Sequence, residues 1–360
     1  MSIELGIDSF VIAAPCDAHG VARGHVEQMR DLIAEIELAD RVGLDAYGIG
    51  EHHRKEFFDS APVVILAAAA ARTQRIRLTS AVTVLGASDP VRLFQEFATL
   101  DLISAGRAEM IVGRGSSIEA FPLFGFDLRD YDALFIEKLQ LLLKLRDGAN
   151  VHWSGKYRPP LMGQGVYPRP AQAVLPIRIG VGGTPASFER AGRMGLPLTV
   201  AIIGGSHAQF RPLIELYRRA GADAGHPPET LSVGIHSIGY VSDTKEQAAD
   251  EFFPGYEKMI RELGRERGWS PPTRAQFDQL IGPDGPLLVG GPAEVAAKIH
   301  WVDEVLGGIS RINMQMGVAS LPHEKMMHAT ELLGTRVRPL IRTPSSSTEV
   351  ERLLGGGIAL

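Results

Sequence analysis

At 360 residues and 45 % hydrophobic side chains, the chain can bury a large core and has the usual length of one α/β barrel. Its formal net charge of −5 supplies no basic field, which excludes nucleic acid and anionic membrane surfaces as evident partners. The one cysteine, Cys16, can form neither an internal disulfide nor a thiolate zinc site, and fits a reducing cytoplasm.

The N-terminus, Met1-Ser2-Ile3-Glu4, lacks the basic and long apolar regions of a signal peptide. Leu5 to Phe10 is predicted as a first strand, followed by an amphipathic helix from His25 to Val42. Ala46 to Ile49 is the second strand, with a helix around Ala61 to Thr73 behind it. That helix holds the richest apolar run, Pro62 to Ala71, which ends at Arg72 and is too short to span a bilayer. Its alanines instead suit close packing in the core or at a subunit contact. A soluble protein is expected.

Ile76 to Val84, rich in β-branched residues, is the third strand; the next helix opens at Asp89-Pro90, where aspartate caps and proline fits the first turn. Ala108 to Val112 is the fourth, followed by a helix over Tyr131 to Arg146. His152 to Pro170 has no helical period and reads as an inserted hairpin or loop. Ile177 to Val181 and Leu198 to Ile202 are the fifth and sixth strands, with helices over Pro185–Met194 and His207–Ala220. Leu231 to Val241 is the seventh, with a long helix starting near Lys245 and a second irregular region, Gly268 to Pro286. Val289-Gly290-Gly291-Pro292 opens another helix to Val305; Ile309 to Gln315 is the eighth strand and Pro322 to Leu333 the closing helix.

Eight strands alternating with helices predict a TIM (β/α)8 barrel with inserted loops, occupying residues 1–342 as one domain with both termini outside it. A doubly wound open sheet would carry a Gly-x-Gly-x-x-Gly turn after its first strand, which Cys16-Asp17-Ala18-His19-Gly20 does not resemble. Residues 343–360, with Ser345-Ser346-Ser347 and Gly355-Gly356-Gly357, are expected to be a poorly ordered tail.

Chemistry in such a barrel sits at the C-terminal strand ends. The second strand delivers Glu51-His52-His53 there, a carboxylate and two imidazoles, the latter suited to proton transfer near neutral pH. The alternative is that the two histidines merely cap the strand. The third strand ends in Thr79-Ser80-Ala81-Val82-Thr83-Val84-Leu85, small enough for a flat ring to approach. The fourth runs into Gly113-Arg114-Gly115-Ser116-Ser117, placing between two glycines a guanidinium that suits a phosphate or carboxylate. The fifth runs into Gly182-Gly183-Thr184-Pro185-Ala186-Ser187, whose glycines, hydroxyls and following helix N-terminus suit an anion. Each has a plain turn as its alternative; together they describe a phosphate cradle on the face that carries His52. A metal hydrolase built on Glu51-His52-His53 is disfavoured because no His-x-x-x-His spacing lies on a helix.

These segments resemble the bacterial luciferase-like flavin monooxygenase family. The matches run in order through Gly50-Glu51-His52-His53, Ser80 to Leu85, Asp89-Pro90-Val91-Arg92, Glu96 to Arg107, Gly113-Arg114-Gly115, Gly182-Gly183-Thr184, Leu288-Val289-Gly290 with Pro292-Ala293-Glu294-Val295, Arg311 to Gly317, and Leu321-Pro322-His323-Glu324. They cover roughly Ile3 to Arg342. The resemblance implies a barrel, usually a homodimer, that binds reduced FMN supplied by a separate flavin reductase and uses it with O2, through a flavin C4a-peroxide, to oxidise a small organic substrate. By the same resemblance His52 is the catalytic or flavin-proximal histidine with Glu51 and His53 beside it. Ala81–Val82 is a cis peptide against the flavin ring, Arg114 contacts the phosphate, and Thr184 and Ser187 offer phosphate-binding hydroxyls next to Gly182 and Gly183.

Two departures stand out: the luciferase has a cysteine where this chain has Gly113, and a carboxylate at the position of Gly183. A deazaflavin (F420)-dependent reductase or dehydrogenase, and a flavin-binding protein without turnover, are the alternatives on this fold. The two irregular regions are candidate lids, with Trp153, Tyr157 and Trp269 either lining an apolar pocket or anchoring those loops.

Overall fold

The computed structural model describes residues 2–12, 23–115, 118–267 and 270–342, without the side chains of 263–267. The predicted tail 343–360, and with it Cys16, Ser116, Ser117 and Trp269, lies outside the described residues.

Eight parallel strands close on themselves: β1 (Glu4–Ser9), β2 (Ala46–Ile49), β3 (Arg77–Ser80), β4 (Ala108–Gly113), β5 (Ile177–Val181), β6 (Leu198–Ile202), β7 (Val233–Val241) and β8 (Arg311–Gln315). The ring is completed where β8 returns to β1, with Arg311 beside Glu4 and Gln315 beside Asp8. Around it lie α1 (His25–Arg41), α2 (Pro62–Ala70), α3 (Pro90–Ile103), α4 (Tyr131–Asp147), α5 (Pro185–Arg193), α6 (Arg211–Asp223), α7 (Pro292–Leu306) and α8 (His323–Leu332). The helix layer closes where α8 packs on α1, joined there by the His323 Nδ1–Glu35 Oε1 pair at 3.0 Å. The predicted cap is present: Asp89 accepts from the backbone N–H groups of Val91 and Arg92 at 2.9 and 3.1 Å, with Pro90 opening α3. No helix among the described residues is long and apolar enough to cross a membrane.

Two stretches differ from the sequence expectation, and a third meets it. The third strand is shorter than Ile76–Val84: β3 stops at Ser80, the Ala81–Val82 bond is cis as expected, and Thr83–Val84 resumes as a separate piece paired with Val112–Gly113. Gly268–Pro286 is not irregular throughout but contains a helix, Arg274–Leu280. A capping box starts it, with the Thr273 hydroxyl accepting from Gln276 N–H and the Gln276 side chain accepting from Thr273 N–H. Residues 152–170 do form a hairpin, Asn150–Trp153 against Leu161–Gly165. Glu137 of α4 straps it down by accepting from the backbone N–H groups of Lys156, Tyr157 and Arg158. Trp153 is buried in the main core and the Tyr157 hydroxyl donates to Asp130 at 2.6 Å, so both anchor the hairpin rather than line an open pocket.

Alternation along the strands sends Leu5 and Ile7 outward into the helix layer and Glu4, Gly6 and Asp8 into the barrel. The interior is polar. At its N-terminal end Arg311 bridges Glu4 at 2.7 Å and Glu109 at 2.5 Å, and Arg178 donates to the Leu198 carbonyl at 2.8 Å and to Thr199. Burial alone would raise the Glu109 carboxyl, but Arg311 and Arg178 outweigh it and hold it below its ordinary value. This paired plug satisfies, at the lower end of the barrel, the charges that burial would otherwise penalise.

Candidate active site

At the C-terminal end of β2 the chain leaves the barrel through Gly50, and His52 comes to rest 8 % exposed. Its ring Nδ1 meets Asp59 Oδ2 at 2.8 Å, and its backbone N–H donates to Asp59 Oδ1 at 3.1 Å. An ionised Asp59 can only accept, so this contact places the proton on Nδ1 and leaves Nε2 as the ring's acceptor. Asp59 is fully buried; burial raises its carboxyl above the ordinary value, against the pull of its bonds to His52. The imidazole lies stacked on Phe57 at 4.3 Å and tilted against Phe10 at 4.7 Å.

Phe10 joins this histidine to a second one. Its other neighbour is His236 of β7, stacked at 5.5 Å. His236 Nδ1 meets Asp8 Oδ2 at 2.6 Å, and Asn313 Nδ2 donates to Asp8 Oδ1 at 2.7 Å. Among the described residues, His236 Nε2 is buried without a partner, as are Asn313 Oδ1 and Gln315 Nε2 on neighbouring β8. Val11, just after Phe10, has φ +46°, an uncommon conformation for a β-branched residue, at the turn that leaves Phe10 between the two imidazoles.

Glu51 and His53 point elsewhere. Glu51 Oε1 lies 3.2 Å from His53 Nε2, and Oε2 accepts from the backbone N–H of Val84 at 2.9 Å. Both side chains are 8 % exposed, and His53 meets the edge of Phe124 at 5.1 Å. Glu51 therefore ties the exit of β2 to the segment after the cis Ala81–Val82 bond. Val82 in turn fills the space above β4 and β5: a Cβ on Gly113 would lie 2.6 Å from its Cγ2, and one on Gly180 2.6 Å from its Cγ1. Glycine at position 113, where the luciferase resemblance expects a cysteine, is thus imposed by Val82.

Beyond Gly113 the guanidinium of Arg114 crosses to the start of α5. Its Nη2 donates to Ser187 Oγ at 3.2 Å and, at the 3.5 Å limit, to Thr184 Oγ1; its Nη1 donates to Asp132 at 2.6 Å. The Tyr131 ring lies below, 5.4 Å from Cζ, fixed by its hydroxyl on the Gly115 carbonyl. Thr184 takes the position before α5 without its hydroxyl capping the helix. A Cβ on Gly182 or Gly183 would meet nothing within 4 Å, so packing inside the protein does not call for glycine there, whereas a bound group approaching the backbone would. One guanidinium, two hydroxyls and a bare loop at a helix N-terminus make an arrangement suited to an anionic group such as a phosphate.

The structure thus gathers Arg114, Gly182, Gly183, Thr184 and Ser187 into one cradle. It sets His52 in a second cluster linked to the first through Glu51, Val84 and Val82. Asp59, Phe10, the Asp8–His236–Asn313 group and Asp132 escaped the sequence reading, since none lies in a strand-end motif and Asp8 and His236 are 228 residues apart.

A model of the luciferase-like monooxygenase family matches residues 9–307. The chain belongs to this family. It is 25 % identical over 328 residues to a 4-hydroxyprotoasukamycin monooxygenase of Streptomyces nodosus subsp. asukaensis, covering 85 % of each chain. Other curated relatives match over less: an uncharacterised Sinorhizobium fredii protein is 34 % identical across 39 % of this chain and 40 % of its own length. An F420-dependent glucose-6-phosphate dehydrogenase of Amycolatopsis mediterranei is 32 % identical across 46 % of this chain and 51 % of its own. Among solved structures, the monooxygenase RslO1 from Streptomyces bottropensis superposes with a TM-score of 0.80 at 25 % identity, covering 94 % of this chain and 99 % of that one. The oxygenating constituent of 3,6-diketocamphane monooxygenase from Pseudomonas putida, in complex with FMN, shares the fold with a TM-score of 0.75 at 21 % identity, covering 96 % of this chain and 100 % of that one. The luciferase-like family therefore includes proteins named for FMN and others named for F420.

Proposed function

We propose that this protein is an FMN-dependent monooxygenase that takes reduced flavin from a separate reductase and oxidises a small organic substrate, one oxygen atom entering the product and the other leaving as water. The observation that carries the reading is His52, held by Asp59, on the barrel face that also carries the Arg114–Thr184–Ser187 cradle. Arg114 and the two hydroxyls would hold the flavin phosphate, with Gly182 and Gly183 letting it reach the backbone. Ala81–Val82, backed by glycines, would face the flavin ring. Bound reduced FMN supplies the electrons and the reaction with O2. His52 Nε2 exchanges a proton with the reacting groups, while Asp59 holds the ring and stabilises its charged form. Glu51 and His53, bonded to each other, brace the wall. Exposed Ile118, Leu123 and Phe124, the last against His53, supply an apolar rim suited to a carbon-rich substrate.

A homodimer joined through α1 and α2 fits the surface. A groove of about 760 Å³ there is lined by Val26, Met29, Ile33, Ala34 and Ala68 among others, with Val26 and Val64 exposed. The cytoplasm suits an enzyme fed by a reductase.

The test is oxygen uptake and product formation when the protein is mixed with FMN, a flavin reductase, NADH and a panel of aldehydes and ketones. Substrate-dependent oxidised product supports the reading. Hydride transfer to or from F420 without oxygen uptake would replace it with a dehydrogenase, a reading favoured by the 32 % identical F420-dependent relative.

A further inference from the structure

The Arg114 fork is divided: one nitrogen faces Ser187 and Thr184, the other a carboxylate, Asp132 Oδ1, at 2.6 Å. A guanidinium in a phosphate cradle would be expected to offer both nitrogens to the ligand. Asp132 belongs to the first turn of α4, opposite the α5 end that carries the hydroxyls, and its side chain is 63 % exposed, against 24 % for Arg114. An exposed carboxylate on a short side chain can swing into water at little cost, since an ion pair in this setting is worth only about 0–1 kcal/mol. Arg114 cannot move as freely, because Tyr131 lies under it and Ser187 holds its end.

We propose that Asp132 is a specificity-determining residue of the cradle: a counter-anion that occupies the Nη1 side of Arg114 and yields it to a ligand phosphate. The assignment rests on reading the cradle as a phosphate site. With Asp132 present, the charges of these two side chains cancel, so a phosphate that enters must displace or face one negative charge. The cradle is thereby tuned against tight retention of phosphate-bearing ligands, which suits a cofactor that arrives reduced and leaves oxidised. The uncharged end of the same cofactor feels nothing of this.

The experiment measures binding of dithionite-reduced FMN and of dithionite-reduced riboflavin, which lacks the phosphate, under nitrogen, to the wild-type protein, Asp132→Asn and Arg114→Ala. Asp132→Asn should bind FMN about three- to tenfold more tightly with riboflavin unchanged, and the gain should shrink in 0.5 M salt, as expected for screened charges. Arg114→Ala should weaken FMN alone. If Asp132→Asn leaves FMN binding unchanged or weakens it while Arg114→Ala weakens FMN selectively, Asp132 only positions Arg114; the counter-anion role is overturned and the phosphate site stands. Should Arg114→Ala bind FMN as well as the wild type does, the phosphate site itself fails and the role of Asp132 with it.

Discussion

Asp59 meets His52 twice, through Oδ2 on the ring Nδ1 at 2.8 Å and through Oδ1 on the backbone N–H at 3.1 Å. The double contact fixes both where the imidazole sits and which nitrogen it presents. His52→Ala should therefore lower turnover by about 10²–10⁴-fold, the usual worth of a positioned proton-transfer group, with little change in flavin affinity. Asp59→Asn keeps the shape and removes the charge that stabilises the imidazolium. Its turnover should fall less than that of His52→Ala, and because asparagine cannot take up the proton that burial helps the Asp59 carboxyl to take up, the acid limb of its pH–rate profile should move to lower pH. Steady-state kinetics across pH 5–9 check this; an unmoved profile in Asp59→Asn would show that Asp59 only supports the loop.

Val82 and the two glycines beneath it make a steric prediction. A methyl added at Gly180 would lie 2.6 Å from Val82 Cγ1, while its other neighbours, Ile111 Cγ2 and the Val112 carbonyl, stand at ordinary distances of 3.5 and 3.6 Å. Gly180→Ala should thus cost about 1–3 kcal/mol through overpacking, nearly all of it against one side chain. Val82→Ala in the same chain removes the clash. The double variant should be more stable than the sum of the two single changes by at least about 0.5 kcal/mol. Urea unfolding of the four proteins closes the cycle, and strict additivity would refute the contact.

How much of this was legible beforehand follows from the range of each interaction. The strand ends with Glu51, Arg114, Gly182 and Thr184 were readable because alternation of strands and helices fixes where such residues emerge. The cis Ala81–Val82 bond was suggested by the family resemblance together with the small residues at that strand end, neither of which demands it on physical grounds. Asp59 and Asp132 were not readable, because each is an ordinary turn or helix-start acid until the fold brings it against His52 or Arg114. The Asp8–His236 pair is the extreme case, made over β8 between the first and seventh strands that flank it. Glu51 and His53, read as candidate catalytic groups from their place beside His52, bond to each other and to the Val84 N–H, a pairing that adjacency in sequence does not disclose.

His207 gives a pH prediction for stability. It is fully buried, Nε2 2.9 Å from Ser237 Oγ, and burial, with Lys298 nearby, pushes it down to about 4. The unfolded chain binds a proton at the ordinary histidine value near 6.5 while the folded protein does not. Stability contributed by the neutral ring is therefore fully present above about pH 6.5 and is lost as pH falls from there toward 4. His207→Gln retains a partner for Ser237 but cannot titrate. Between pH 7 and 4.5 the wild type should lose about 2–3 kcal/mol more than this variant. Urea melts at several pH values test it, and parallel curves would mean that His207 takes up its proton in the fold as readily as in the unfolded chain.

Val64 lies 71 % exposed on α2, an unusual place for a branched apolar side chain unless something covers it. With Ala68 of α2 and Val26, Met29 and Ile33 of α1 in the adjoining groove, it offers an apolar face with small residues that let helices approach. In a twofold dimer each substitution acts twice. Val64→Glu would bury an unpaired carboxylate at about 2 kcal/mol or more per copy. Two copies amount to roughly 4 kcal/mol, or about three powers of ten in dimer dissociation. The isolated fold should scarcely notice, since substitutions at exposed positions usually change stability by within about 0.5 kcal/mol. Light scattering at micromolar concentration should show dimers for the wild type and monomers for Val64→Glu. A monomeric wild type overturns the dimer, and a variant that stays dimeric moves the contact away from α1 and α2.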